Sequence, residues 1–324
     1  MAIFQGFLKN LRYNFQSMIS KFKHKNVTWV DIEKPTRNEV IDIIEEYSIP
    51  KVAGEELLIE TLKSKVDYYD KEDIIYLVLH FPFFNKVEKV VVEKEIDFIL
   101  GRDFLITAHY QEIGPFNDFA RIFENESFLT QNKIGQNPGF LLFYILKNLY
   151  KYLDNELDNI ATNLEKIEHD IFDGREKDAV NSISYANRKI IRFRKAISFH
   201  GETIQSIEPI GTEMFGASFS FNMSMIISEY NKVNSTISWY KELLNDMRET
   251  NDTLLTTKTN ETVKTLTIMT FIMLPITLIT GIFGMNVIED LILIKSPVDF
   301  FIVIGAMVMT GLIIFLYFKI KKWL

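Results

Sequence analysis

The sequence predicts an α+β chain, with an N-terminal α/β domain on a mixed sheet, a long helical stalk, and two C-terminal membrane-spanning helices. Three observations carry this. Strand-like and helix-like runs alternate over the first 135 residues, the stretch 217–274 contains neither glycine nor proline, and two uncharged apolar stretches, 266–285 and 300–318, lie close to the C-terminus. At about 1.5 Å per residue each stretch just crosses a hydrocarbon core of roughly 30 Å. Composition alone hides this, because 47% hydrophobic and 24% charged residues is an ordinary soluble average.

In the N-terminal domain, residues 27–35 have strand composition and end at Pro35. Thr36 and Glu39 then form a T-x-x-E capping box that opens a helix through about Tyr47. A second short helix fits 51–62. Three β-rich runs follow, at 73–81, 86–92 and 95–110, the last broken by Gly101-Arg102-Asp103 as a hairpin would be. Another helix is expected from Pro115 to about Glu124, and the polar, turn-rich stretch 131–139 marks a domain boundary. Ahead of all this, Phe4, Phe7, Leu8, Leu11, Phe15, Met18 and Phe22 recur at helical spacing among lysines and arginine. An amphipathic helix is expected there, packed on its own domain or lying on an anionic membrane surface.

Beyond Gly139 the character changes. The stretches 140–173 and 175–200 lack proline and glycine and meet at Gly174, as antiparallel helices joined by a tight turn do. The next helix runs from 217 toward the membrane for roughly 90 Å or more. Along it Ile226, Tyr230, Val233, Ile237, Tyr240, Leu244 and Met247 alternate by four and three, a heptad seam whose partners are either the preceding helix pair or copies of itself. The resulting division is 1–135 for the α/β domain, 136–262 for the long helices and stalk, 263–286 and 300–318 for the spans, 287–299 for a short external loop, and 319–324 for a basic tail.

Orientation follows from the flanks. Lys319, Lys321 and Lys322 follow the second span, whereas the inter-span segment carries Glu289, Asp290 and Asp299 against one lysine. Both termini are therefore expected in the cytosol of a plasma or inner membrane. The chain has no cysteine, and its five histidines show no ligand-like spacing, so disulfides and a structural zinc site are not expected. The net charge is −7, and no nucleic-acid partner is expected. No Walker A loop, nucleophile elbow or H-E-x-x-H is present, so the chain is not expected to be an enzyme.

One side of the first span carries Thr267, Thr270, Thr277, Gly281 and Gly284, with Leu274 completing the three-four alternation. Two readings compete. Small residues at helical spacing serve close helix packing in lipid; a polar face lines water, in which case symmetry-related helices form a pore. Pro275 removes a backbone donor in mid-span, and the carbonyl it frees at Phe271 needs protein or water beside it.

The stretch 260–286, NETVKTLTIMTFIMLPITLITGIFGMN, closely resembles the first transmembrane helix of CorA-type magnesium channels, including the signature Gly284-Met285-Asn286, and the terminal KIKKWL resembles the family's basic C-terminus. The resemblance implies a funnel-shaped homopentamer in the lipid bilayer, whose pore is built by the first span of each subunit. On that pattern Asn286, helped by backbone oxygens around Gly284, meets the hydrated cation in the outer shell. Thr277 and Gly281 line the upper pore, Leu274 and Leu266 its apolar constrictions, and Asn260 and Val263 its cytosolic end. Mg²⁺ is implied twice, as cargo and as a regulatory ligand between cytosolic domains. Co²⁺ and Ni²⁺ of similar hydrated size are further candidate cargo. Mg²⁺ dehydrates reluctantly, so amide and carbonyl oxygens that bond its water shell without stripping it suit the task. Glu289 and Asp290 either concentrate cations at the mouth or are ordinary loop acids.

The sequence departs from the family where regulation is concerned. Asn85 stands where an aspartate is common after the strand 73–81, and Met225 where the stalk usually supplies its acidic partner. Glu88, Glu208, Glu213 and Glu229 are substitute candidates without assignment. The outer loop VIEDLIL also differs from the usual aromatic and M-P-E-L run. The alternatives are a two-span signalling or scaffold protein, in which Gly284-Met285-Asn286 has no particular purpose, and a zinc transporter on the same scaffold, against which Met285 argues.

Overall fold

The computed structural model describes residues 18–85, 90–116, 119, 137–284 and 297–323. Six strands, β1 (Met18–His24), β2 (Val27–Glu33), β3 (Lys65–Tyr69), β4 (Ile74–Asn85), β5 (Val90–Leu100) and β6 (Phe104–His109), form one sheet in the order β1-β2-β6-β5-β4-β3. The β2–β6 pair is parallel and every other pair antiparallel. The mixed sheet follows from connectivity: short turns join β1 to β2 and β5 to β6, whereas β2 returns beside β6 only after two helices and three strands.

Helices α1 (Arg37–Tyr47) and α2 (Lys51–Glu56) cover one sheet face. The Glu39 carboxylate accepts a bond from the Thr36 amide at 2.9 Å, as the capping motif requires. Val40, Ile43, Ala53 and Leu57 bury their side chains against Val30, Ile32, Val78, Ile99 and Ile106. The opposite face buries Trp29, Leu77, Phe81, Phe98 and Leu105. Phe81 meets Tyr150 and His200 of the long helices edge-on. Strand β4 is buried from Ile74 to Phe83, which is why it reads as a continuous apolar run rather than an alternating one. Pro82 is tolerated because β3 pairs only as far as Val78, leaving β4 with one neighbour at that point among the described residues.

Four helices follow: α3 (Pro138–Phe172), α4 (Glu176–Ile197), α5 (His200–Phe215) and α6 (Ala217–Phe283), with α7 (Pro297–Ile320) last. Gly174, at φ +86°, turns α3 into α4, and Gly216, at φ +85°, turns α5 into α6; both are left-handed positions that glycine occupies without strain. The heptad seam of α6 is buried, with Val233 and Ile237 each 1% exposed. Lys232 of α6 pairs with Asp154 of α3 at 2.7 Å, and Lys241 bonds Asn187 of α4. The helices beside α6 are therefore the chain's own, the antiparallel pair and α5, where the ring of Tyr230 in the seam lies 6.4 Å from that of His200.

Two compact units result. One holds the sheet, α1, α2, α5, α3 to Asp170, α4 from Ala179 and α6 to Met247; the other holds residues 171–178, α6 from Arg248, and α7. In the second unit Lys258 ties α6 to the turn, its ammonium 2.6 Å from Glu176 and 3.4 Å from the Gly174 carbonyl.

Several expected elements differ. Met18 and Phe22 belong to strand β1 rather than to a helix: β1 pairs with β2 along its length, and Phe22 stacks on Trp29 at 4.9 Å. The remainder of the expected N-terminal helix lies outside the described residues. The second helix stops at Glu56, where the bonds tighten to Leu57 N–H→Gly54 and Leu58 N–H→Glu55. Residues 90–92 and 95–100 form one strand, β5. Strand β3 was not expected, since its alternation in KVDYY is mostly polar, and neither was a separate α5, which accommodates Pro209 inside a helix that starts at His200. The helix expected from Pro115 lies largely outside the described residues.

Candidate functional site

The site is best read from the second unit upward. Leucine, isoleucine and threonine dominate α6 below Asn260, and the helix continues to Phe283 through Pro275, which supplies no backbone donor. Helices α6 and α7 are each long and apolar enough to cross a membrane, yet only 6% of the apolar window of α6 and 0% of that of α7 is buried. A soluble core helix of this composition would be enclosed. These side chains require lipid or other copies of the chain.

Within the chain the two spans meet along one narrow face. Ile268 is 4% exposed and Phe318 7%, and the Phe271 and Phe318 rings lie 6.1 Å apart. Gly311 of α7 faces α6 closely, since a Cβ there would lie 3.5 Å from Ile276 Cδ1 and 4.0 Å from Ile272 Cγ2. With Ile279, partly covered, these isoleucines share one side of the helix. At about 100° per residue, Val263, Thr270, Leu274, Thr277 and Gly281 fall roughly half a turn away, flanked by Asn260, Leu266, Thr267 and Gly284. Exposure agrees: Leu266 is 63% and Leu274 61% exposed, Thr270, Thr277, Gly281 and Gly284 are exposed, and Thr267 is half-covered. The small and hydroxyl stripe is therefore not what packs α6 on its own chain's α7.

The hydroxyls of this stripe are already committed as donors. Thr267 donates to the Val263 carbonyl at 2.8 Å, Thr270 to Leu266 at 2.9 Å and Thr277 to Met273 at 2.9 Å. Each oxygen keeps acceptor capacity away from its own helix. Such a row can accept bonds from water, including the outward-pointing protons of a hydrated cation. Gly284 ends the described part of the helix, its amide bonded to Thr280 at 2.8 Å; a Cβ there would come within 3.0 Å of the Thr280 carbonyl. Met285, Asn286, Glu289 and Asp290 lie outside the described residues.

Among the described residues no group of three or more histidine, aspartate or glutamate side chains is placed to hold a metal ion. Of the candidate regulatory acids, Glu208 accepts a bond from Ser220 at 2.6 Å, Glu213 is exposed, and Glu229 is half-covered. Glu88 lies outside the described residues. Asn85 ends β4, and Met225 is 38% exposed on α6. Two features have no signal in the sequence. Gly311 as the contact point of the spans is one; the other is the Glu176–Lys258 pair, whose lysine holds the carboxyl below its ordinary pKa through a side-chain hydrogen bond.

Comparison with known proteins agrees with this architecture along the chain. The chain is 22% identical over 300 residues to the cobalt/magnesium transport protein CorA of Thermotoga maritima, covering 92% of this chain and 83% of the relative. Its fold superimposes on the complete CorA magnesium transporter of Methanocaldococcus jannaschii with a TM-score of 0.78 at 20% identity, covering 94% and 93% of the two chains. It also resembles the ZntB cytoplasmic domain of Vibrio parahaemolyticus, with a TM-score of 0.59 at 16% identity over 72% of this chain and 90% of that one. The model of the CorA-like Mg²⁺ transporter proteins matches residues 24–322, and the chain belongs to that family.

Proposed function

We propose that this chain is one subunit of a homopentameric channel that admits Mg²⁺ into the cytosol down the membrane potential. The observation that carries the proposal is the two-sided chemistry of α6: isoleucines toward α7, and threonines, glycines and Leu274 on the opposite, uncovered side. One chain cannot enclose a path with a single helix face, so the stripe calls for copies of itself around an axis. On this reading Thr277 and Gly281 line the outer half of the path, Leu266 and Leu274 constrict it, and Asn260 and Val263 stand at its cytosolic end. Gly284, Met285 and Asn286 form the outer mouth, where Asn286 meets the hydrated ion.

Selection acts through the water shell. The committed threonine donors leave acceptors for hydration water, and α6 below Lys264 holds no carboxylate that would trap the ion. A multi-site path of modest affinity lets the ion leave. No coupled chemistry is needed, because a potential of 100 mV drives a divalent cation with about 4.6 kcal/mol. The names of the relatives support Co²⁺ as a second cargo, and hydrated size extends this to Ni²⁺. Closure as internal Mg²⁺ rises belongs to the same proposal and rests on the resemblance of 260–286. The termini lie in the cytosol on this reading, with Glu289 and Asp290 at the external mouth.

Asn286→Ala tests the assignment of the mouth. Its expected outcome is loss of Mg²⁺ flux in liposomes with the oligomer intact by light scattering; flux at the wild-type rate in an intact oligomer overturns the role of Asn286.

A further inference from the structure

Far along the chain from the spans, one side of α4 gathers cations beside the first residues of β5. Lys195 is neutralised by Glu93 at 3.0 Å. Arg192 donates to the Val91 carbonyl at 3.4 Å, and among the described residues no carboxylate lies within ion-pair distance of Arg188, Lys189 or Arg192, Glu156 acting on Lys189 from farther away. Lys189 is the unusual member. It is 9% exposed, and its ammonium sits 4.5 Å over the Phe84 ring. Burial lowers its pKa from the ordinary lysine value, and a cation–π contact offsets only part of the desolvation of a lysine.

Two adjoining cavities open on this residue. The smaller, about 160 Å³, is walled by Val90, Val91 and the three cations. The larger, about 430 Å³, lies between α3 and α4 over Ile160, Ile167 and Ala186, with Asn163, Asn181, Ser182 and the charged Lys166 and Asp170 around it. Lys189 and Tyr185 line both, and Tyr185 is 43% exposed. The larger volume lies within the range of small-molecule clefts. The smaller one suits a compact anion, and guanidinium groups match phosphate oxygens in pairs.

We propose that these joined cavities bind a phosphorylated planar metabolite of the nucleotide class. Its phosphate occupies the small cavity on Arg188, Lys189 and Arg192, and its planar part lies against Tyr185 in the groove between α3 and α4. The phosphate gives Lys189 a counter-charge in direct contact, beyond the more distant Glu156 carboxylate, and the ring lies on the apolar floor of Ile160, Ile167 and Ala186.

Calorimetric titration of the full-length protein in lipid nanodiscs tests this, with ATP, AMP, adenosine and inorganic phosphate as probes and EDTA present to exclude metal-bridged binding. The expected result is saturable binding of ATP or AMP that is about tenfold or more tighter than that of phosphate or adenosine alone. Arg192→Gln and Lys189→Met each weaken it about tenfold. Tyr185→Ala weakens nucleotide binding but not phosphate binding. Arg188→Gln, at an exposed position, repeats the test without disturbing the fold. Absence of saturable nucleotide binding overturns the proposal, as does binding unchanged in the Arg188→Gln, Arg192→Gln double variant. Phosphate binding as tightly as nucleotide overturns the assignment of the groove.

Discussion

His200 has no access to water, and its ring is held at both nitrogens: the Tyr150 hydroxyl lies 2.8 Å from Nδ1 and the His80 carbonyl 2.8 Å from Nε2. Of the two neutral tautomers only the one with the proton on Nε2 satisfies both, since the carbonyl can only accept. Burial pushes its pKa down to about 3, so between the unfolded value of 6.5 and about 3 the unfolded chain binds the extra proton and stability falls as pH falls. His80 has the opposite sign. Burial works against its charge, but the Glu95 carboxylate at 3.2 Å and the Thr61 carbonyl outweigh it and raise the pKa. Its contribution is present below 6.5 and fades as pH rises through the folded value. The account predicts that lowering pH from 7 to 5 costs about 2 kcal/mol through His200. Thermal unfolding of the wild type and His200→Gln at both pH values checks this, and the variant is expected to lose less stability on acidification. Neither histidine network was legible in the sequence, because residues 80, 150 and 200 share no spacing and meet only through the packing of the sheet on α3 and α5.

At the scale of the element, the length of α6 and its buried seam were legible because its periodicity carries the information. The heptad positions Ile226 to Met247 and the threonine-glycine stripe both follow from three-four spacing. What spacing left open was the partner of each face. The seam is covered by the chain's own helices, and so Ile237→Ala, at a position 1% exposed, is expected to cost about 2–5 kcal/mol, whereas Trp239→Ala, at 57% exposure, is expected to change stability by no more than about 0.5 kcal/mol; chemical denaturation separates the two. The stripe faces away from the Gly311 contact, which only the folded pair of spans reveals. The absence of cysteine gives a clean background for testing this. Single substitutions Leu274→Cys, Thr277→Cys and Gly281→Cys are expected to react with a water-soluble thiol reagent in the assembled protein, and Ile272→Cys and Ile276→Cys to resist it. Equal labelling of both sets contradicts the two-faced reading. Met18 and Phe22 differ from the expected helix for the converse reason: they fit a helical period, but a short strand with alternating lysines fits the same residues, and pairing with β2 decides between them.

At the scale of the whole molecule, the fold class was legible because its signals are long: two apolar spans, one uninterrupted helix, and strands rich in β-branched and aromatic residues. Membership of the CorA-like family fits a chain in which transport requires no acid, base or nucleophile. The proposed regulation is the least legible part, since a ligand set drawn from several copies of a chain would leave no spacing within one copy. The measurement that bears most directly on the account is Mg²⁺ entry into liposomes containing the purified full-length protein, with an internal Mg²⁺-sensitive dye, an inside-negative potential and varied internal Mg²⁺. The account predicts entry that follows the potential and declines as internal Mg²⁺ rises; no potential-driven entry at low internal Mg²⁺, with the oligomer intact, would contradict it.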